Sequence, residues 1–462
     1  MSDFTVHPRL PRLREIFADG FDIAQEANAH LTAQLSERRQ QFDEQIGAFC
    51  PHADLPNPEP GPLAGLPITI KDQFHLAGTR VGFGFGQLGQ SASQHDAPAL
   101  AALRQNGAHF IGRTNMPPLA LDFQAVDGAG HRTNNPHDVR CTAGGSSGGG
   151  AAAVATGMSL IDIGADLSGS LRIPASFCGV MRLLPSEGQF SNKGMLLDEQ
   201  ATLPHFARPG LLGRCADDLW IGYRMMQGDV DIPESLLQRE AQNIKLGWLP
   251  QGQAHPLERK MSAVFDRWQK RASCKGVQFG HVDMDLFAAP RRHDFAFLMG
   301  YETGGLMPWT ARLAARIFGR DAAKRSPDFL THVQSGYGRS KKAYKAALQR
   351  RENYIADTLA AFGDLDAIVT PVTPMSAFEH VEPTHDHNGI RDYDHLFCVD
   401  HHSLSYFDGL TYYTGAISLL GFPVVTLPIG FTSKGLPVGA QLIGRPHEEA
   451  ALLAVAARLA SG

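Results

Sequence analysis

A layered α/β protein built on one large mixed sheet is what the sequence predicts, and three observations predict it. Short apolar runs of strand length recur along the chain: LPITIK at 66–71, SLIDIG at 159–164, LDAIVTPVTP at 365–374 and GFPVVTLPIG at 421–430. Helix-like segments stand between them, and such alternation is the mark of strands and helices stacked in layers. The strand-like runs also return after a long helical middle, so the segments 60–240 and 365–462 are expected to build a single α/β/α core.

The elements follow in order. Residues 22–50 read as a helix, with the mixed charges of ERRQQFDEQ on its wet face. The prolines of PHADLPNPEPGPLAGLP then break helical structure, because each removes an amide donor and restricts its neighbour. In LPITIK the two-residue period sends Ile68 and Ile70 to one side and Thr69 and Lys71 to the other. DAPALAALRQN (96–106) reads as a helix capped by Asp96 and ended by Gly107, and AHFIG (108–112) as a strand. An alanine-rich helix, AAAVATGM, precedes the strand SLIDIG, which opens into the polar turn ADLSGS (165–170). Basic and aromatic helical stretches fill 240–360, and the chain closes with LPVGAQLIG and the helix EEAALLAVAARLA. The expected organisation is an N-terminal helical region (1–60), a core (61–240), a mainly helical insertion or pocket region (241–364) and a second part of the same core (365–462).

Composition narrows the function classes. At 462 residues, 43% hydrophobic and 19% charged, the chain has the make-up of an ordinary globular protein. With 42 Lys+Arg against 47 Asp+Glu, it lacks the excess of positive charge that a nucleic-acid backbone attracts. The N-terminal residues hold no apolar run of a secretion signal, and a cytoplasmic location is expected. Residues 141–161 are long enough to span a bilayer, but their glycines and serines bring too little hydrocarbon to repay insertion. The six cysteines are scattered, with no CxxC pair, which suits reduced thiols rather than a disulfide framework or a zinc site. Histidines 380, 385, 387, 395, 401 and 402 are dense enough to raise a metal question, but a solvated or pocket-lining loop explains them. RSKKAYKAALQRR (339–351) reads as a wet helix face rather than an RNA site. No cofactor or metal is expected, and neither a membrane nor nucleic acid is an expected partner.

Two serine–glycine segments carry the candidate chemistry. In GGSSGGG (144–150), five glycines flank two hydroxyls. A phosphate loop would need GK[ST] after the glycines, and the chain continues AAAV instead. The same run satisfies G-x-S-x-G around Ser146, but NNPHDVRCTA is a poor strand to lead into a nucleophile elbow. ADLSGS has the better setting, because Ser170 lies beyond a strand, where open α/β sheets place their ligand sites. The amides of Leu167, Ser168, Gly169 and Ser170 are candidates for an oxyanion hole. No histidine neighbours Ser170 in sequence. Lys71, at the end of its strand, is a candidate base, since burial makes a lysine neutral.

At this point GPLAGLPITIKD (61–72), GGSSGGGAAAVATG (144–157) and GADLSGSLRIPASFCG (164–179) together resemble the amidase signature family. DAPALAALRQNGAHFIGRTNM (96–116) and residues 421–444 are similar to family segments as well. The resemblance implies a three-layer α/β/α fold and a Ser-cisSer-Lys triad, in which Lys71 is the base, Ser146 the relay after a cis peptide, and Ser170 the nucleophile. It implies supporting places for Ser147, Asp72, Asp166 and Arg172, the last three more architectural than chemical. The chain departs from the family at Ala165, Leu167 and Ser168, where a side chain at 168 is expected to crowd a left-handed turn or to narrow the pocket. The usual GLKPT run is altered within MRLLPSEG (181–188). What the resemblance implies is an amidase acting on a small-molecule amide, with a homodimer admitted. The alternatives are the glutamine-hydrolysing subunit of a tRNA-dependent amidotransferase, placed second because of the altered run and the near-neutral charge, and a catalytically silent scaffold.

Overall fold

A computed structural model describes residues 10–17, 21–51, 55–86, 91–230, 243–249, 255–387 and 390–460. Ten strands form one sheet: β1 Pro67–Lys71, β2 His109–Thr114, β3 Ile161–Asp166, β4 Met181–Leu184, β5 Arg208–Gly213, β6 Lys245–Trp248, β7 Gln278–His281, β8 Ala367–Pro371, β9 Val424–Phe431 and β10 Pro437–Ile443. Their order across the sheet is β2-β1-β3-β5-β4-β9-β10-β8-β6-β7. β1 runs parallel to both β2 and β3. Pairing is antiparallel from β3 through β5, β4, β9 and β10 to β8, then parallel again through β6 to β7.

The join between the two ends of the chain is direct. Leu183 of β4 is in register with Leu211 of β5 on one side and Val425 of β9 on the other. Strands from the first half of the chain and strands from its C-terminal part therefore share one sheet.

Each face of the sheet is sealed by helices. One face packs Ile68, Ile70, Ile161 and Ile163 with side chains from the helices Pro98–Gln105, Ala216–Met226, Arg259–Cys274 and Glu449–Ala460. The other face packs against Gly148–Ala155, Arg172–Cys178 and Tyr406–Leu420. With apolar side chains on alternate residues, a strand must turn the residues between them to the opposite layer. Thr69 and Lys71 consequently meet the second set of helices.

Several expectations change in detail. The first long helix runs Phe21–Ile46 and stops before Gly47, whose φ is +66°. Asp96 is not a helix cap: its Oδ1 accepts from the Ala77 amide at 2.7 Å and from Arg104 Nη1 at 2.8 Å. The helix opens at Pro98, which has no N–H to satisfy, and the capping position is Ala97. β3 runs on to Asp166 because β5 pairs with it as far as Arg208. The alanine-rich helix begins within the glycines, at Gly148. The middle region is helical, but it also supplies β6 and β7, whose Trp248 and Phe279 pack edge to face at 5.8 Å on the margin of the main sheet. Residues 141–161 divide among a strand, a helix and the start of β3, and no helix among the described residues is long and apolar enough to cross a membrane.

Candidate active site

β1 carries Lys71 to the end of the strand, on the face opposite Ile68 and Ile70. The lysine is fully buried, and its Nζ donates to Ser146 Oγ at 2.6 Å. Ser146 sits in the loop before the helix Gly148–Ala155, after a cis Gly145–Ser146 peptide. The glycines ahead of it are required by close approach. A Cβ at Gly145 would lie 2.7 Å from the carbonyl carbon of Phe123, and one at Gly144 would lie 2.9 Å from Pro174 Cα. The unusual composition of 144–150 is thus what lets the loop press between two neighbouring segments.

The second serine loop leaves the end of β3. Gly169 has φ +127°, and a Cβ there would lie 2.8 Å from Thr414 Oγ1. Thr414 Oγ1 itself donates to the Ser168 carbonyl at 2.5 Å, fixing the loop to the helix Tyr406–Leu420. The positive φ falls on Gly169 and not on Ser168, so the side chain at 168 does not crowd a left-handed turn. The Ser147 amide donates to the Ser170 carbonyl at 3.0 Å and ties the two serine loops together. Ser170 is 6% exposed and Ser146 is sealed, so of these two serines Ser170 is the one open to an incoming molecule.

Asp166 and Arg172 brace this loop from within. Both Asp166 oxygens take hydrogen bonds from Arg172, at 3.1 Å from Nε and 2.9 Å from Nη2. Arg172 Nη1 reaches the Thr414 carbonyl at 2.8 Å. Asp166 also accepts from the amides of Gly169 at 2.8 Å and Leu171 at 3.1 Å. Burial would raise this carboxyl, but Arg172, with Arg182 adding to it, holds it well below the usual carboxylate range. Because the Gly169 amide is turned to Asp166, the amides of Leu167, Ser168 and Ser170 are the donors of the loop that no described group takes up.

The remaining sequence candidates are structural in their contacts. Ser147 Oγ reaches the Ala165 carbonyl at 3.4 Å. Asp72 accepts from the Gly82 amide at 3.1 Å and lies 3.8 Å from Arg113. His380 bonds Asn134 at 3.0 Å, and His385 and His387 stand on an exposed hairpin. Among the described residues, no three His, Cys, Asp or Glu side chains gather as metal ligands would.

Electrostatics separate Lys71 from an ordinary lysine. Burial pulls its pKa down to about 7, against the opposing pull of Asp162 and Asp166. Near neutral pH a large share of the site therefore holds an unprotonated amine beside Ser146, the state a general base needs. Asp162 is a residue that the sequence reading missed. The available signal was an acid inside the apolar run SLIDIG, on a strand whose every residue is buried.

Comparison with known proteins gives the family and the fold. The family model described as Amidase matches residues 23–453. A glutamyl-tRNA(Gln) amidotransferase subunit of Carboxydothermus hydrogenoformans is 29% identical over 428 residues, covering 86% of this chain and 83% of that protein. The protein of the same name from Protochlamydia amoebophila is 29% identical over 485 residues, covering 96% and 93%. A crystal structure of an amidase superposes with a TM-score of 0.74 at 25% identity, covering 95% of this chain and 98% of the other.

Proposed function

This chain belongs to the amidase family and is a hydrolase, and from that premise we propose that it cleaves a carboxamide through an acyl-enzyme on Ser170. The observation that carries the reading is the 2.6 Å contact between the buried Lys71 amine and Ser146 Oγ, in a loop bonded to Ser170. Ser170 Oγ attacks the amide carbonyl, its proton passes to Ser146, and Ser146 gives its own to Lys71. The amides of Leu167, Ser168 and Ser170 stabilise the charge on the carbonyl oxygen. Collapse breaks the C–N bond, and the lysine's proton returns through Ser146 to the leaving nitrogen, releasing ammonia or an amine. Water then attacks the ester by the same relay and frees the carboxylate and Ser170.

For the acyl group, Leu167 packs at the rim of a cluster that holds Phe123, Phe206, Phe295, Phe329 and Phe407. This supports an uncharged or weakly polar acyl group, and reading residues 241–364 as part of the pocket wall. The identity of the amide divides two settings. A stand-alone amidase comes first from the sequence, whereas the curated relatives named above are amidotransferase subunits. Those relatives favour the alternative, in which the amide is that of glutamine and the ammonia goes to a partner protein.

One experiment addresses both settings. Glutamine and a panel of amides differing only in the acyl group are assayed for ammonia or amine release, with and without co-purifying proteins. Glutaminase activity that rises with a bound partner assigns the amidotransferase setting, and turnover of simple amides by the isolated chain assigns the amidase. If Ser170→Ala retains wild-type turnover on a productive substrate, the acyl-enzyme reading is wrong.

A further inference from the structure

We propose that Asp162 is a positioning residue for Lys71, a buried carboxylate on the lysine's own face of the sheet that stabilises the ammonium formed as Ser170 attacks. This rests on the reading of Ser170, Ser146 and Lys71 given above and adds a fourth member to it.

The placement follows from register. Asp162 of β3 pairs with Thr69 of β1, and Lys71 lies two residues beyond Thr69 on the same face. β3 turns Asp162, Gly164 and Asp166 to that face in succession. Gly164 leaves room between the two acids, and a Cβ there would come within 3.1 Å of Ser147 Oγ. The lysine strand therefore runs beside a strand carrying a carboxyl group on either side of that gap.

Asp162 is held, not merely enclosed. It is fully buried, and its Oδ1 accepts from Thr69 Oγ1 at 2.8 Å and Thr114 Oγ1 at 3.0 Å. Its Oδ2 has no hydrogen-bond donor among the described residues. The helix above makes space for that oxygen, since a Cβ at Gly150 would lie 2.0 Å from it. A glycine in the body of a helix costs stability relative to alanine, and here it leaves room for an acid that the surroundings only half satisfy. An apolar residue at 162 would pack this layer without either cost.

The charges around the pair are few. Gly148–Ala155 brings only glycine, alanine and valine. Asp166 is engaged by Arg172, with Arg182 beyond it, and Asp72 by Arg113. Lys71 and Asp162 thus share one face of adjacent strands, with Asp166 as the other acid on it. Burial pushes the Asp162 carboxyl up, while the hydroxyls of Thr69 and Thr114 and the charge of Lys71 pull it back toward the carboxylate.

The test is the pH profile of Asp162→Asn, which keeps an acceptor for the two threonines and removes the charge. Without the carboxylate the ammonium loses a partner. The acid limb of kcat/KM is expected to move down by about one pH unit, and the plateau to fall by about tenfold because the base is weaker. An Asp162→Ala, Gly150→Ala double variant, whose added methyl group refills the space, is expected to show the same shift and covers the case in which the asparagine protein does not fold. A drop in activity with the limb left at the wild-type pH overturns the proposal and assigns Asp162 to packing. Lys71→Ala separates the two claims. If it is folded and acylates at wild-type speed, the triad reading fails. If it is silent while the Asp162 variants keep the wild-type limb, only the Asp162 proposal fails.

Discussion

A lysine at neutral pH ordinarily carries a proton, and a protonated Lys71 cannot take one from Ser146. Burial resolves this by lowering the pKa to about 7, and the consequence is a stability term as well as a chemical one. A pKa depressed by folding contributes stability that is full above the unfolded value near 10.4 and is lost as pH falls toward the folded value. At pH 7 the fold therefore carries a penalty on the order of 2–4 kcal/mol from this residue. Lys71→Met is expected to raise stability at pH 7 by ~2 kcal/mol after loss of the Ser146 bond. The gain should shrink as pH approaches 10, as urea unfolding at the two pH values will measure. The same shift predicts that wild-type kcat/KM falls as pH drops through about 7. Lys71→Arg is expected to restore nothing, because guanidinium stays protonated. Lys71 was legible in the sequence because it ends an alternating strand. Asp162 was marked only by its place in an apolar run, and its relation to Lys71 appears only when β1 and β3 are paired. Within the altered run MRLLPSEG, Arg182 is buried on β4 and bonds Thr426 of β9 at 3.0 Å. That contact is visible only once β4 and β9 are seen side by side.

The elements that matter most are the two serine loops, and each is fixed by a helix that follows it in the chain. In Gly169 a positive φ and contact with Thr414 coincide, so Gly169→Ala must both strain the backbone and displace the threonine. Its expected effect is a loss of fluorophosphonate labelling at Ser170 by about a hundredfold or more, since a donor moved from its place costs that much, with a smaller fall in melting temperature. Labelling at wild-type speed would show that the loop's shape is not what arms the serine. Arg172→Ala leaves Asp166 charged and enclosed, and such a loss is worth roughly 3–5 kcal/mol. Thermal unfolding will read it directly. The sequence located both loops because glycine clusters are rare and mark backbone shapes closed to other residues. It does not show that Gly169 takes the positive φ and packs on Thr414, more than two hundred residues away.

At the scale of the molecule, Lys71 and the two serine loops adjoin one sheet whose strands come from both ends of the chain, joined where β4 pairs with β9. The return of apolar runs after residue 364 made that join foreseeable. That the middle region adds β6 and β7 to the sheet edge was not foreseeable from helical composition, since a four-residue strand leaves little periodic signal. A shared sheet predicts cooperative loss. Tryptophan emission from Trp248 and Trp268, at the β6–β7 edge, and labelling of Ser170, near the other end of the sheet, are expected to disappear at one urea concentration. Two separated midpoints would mean two independently stable cores. The central claim, that Ser170 is acylated with Lys71 as the base, is tested most directly by rapid-quench intact-mass measurement of the whole chain reacting with an amide substrate. The mass gain must map to the peptide containing Ser170, must vanish in Ser170→Ala, and must slow by several orders of magnitude in folded Lys71→Ala. A folded Lys71→Ala protein that gains the acyl mass as fast as wild type, or a mass gain that persists in Ser170→Ala, would contradict it.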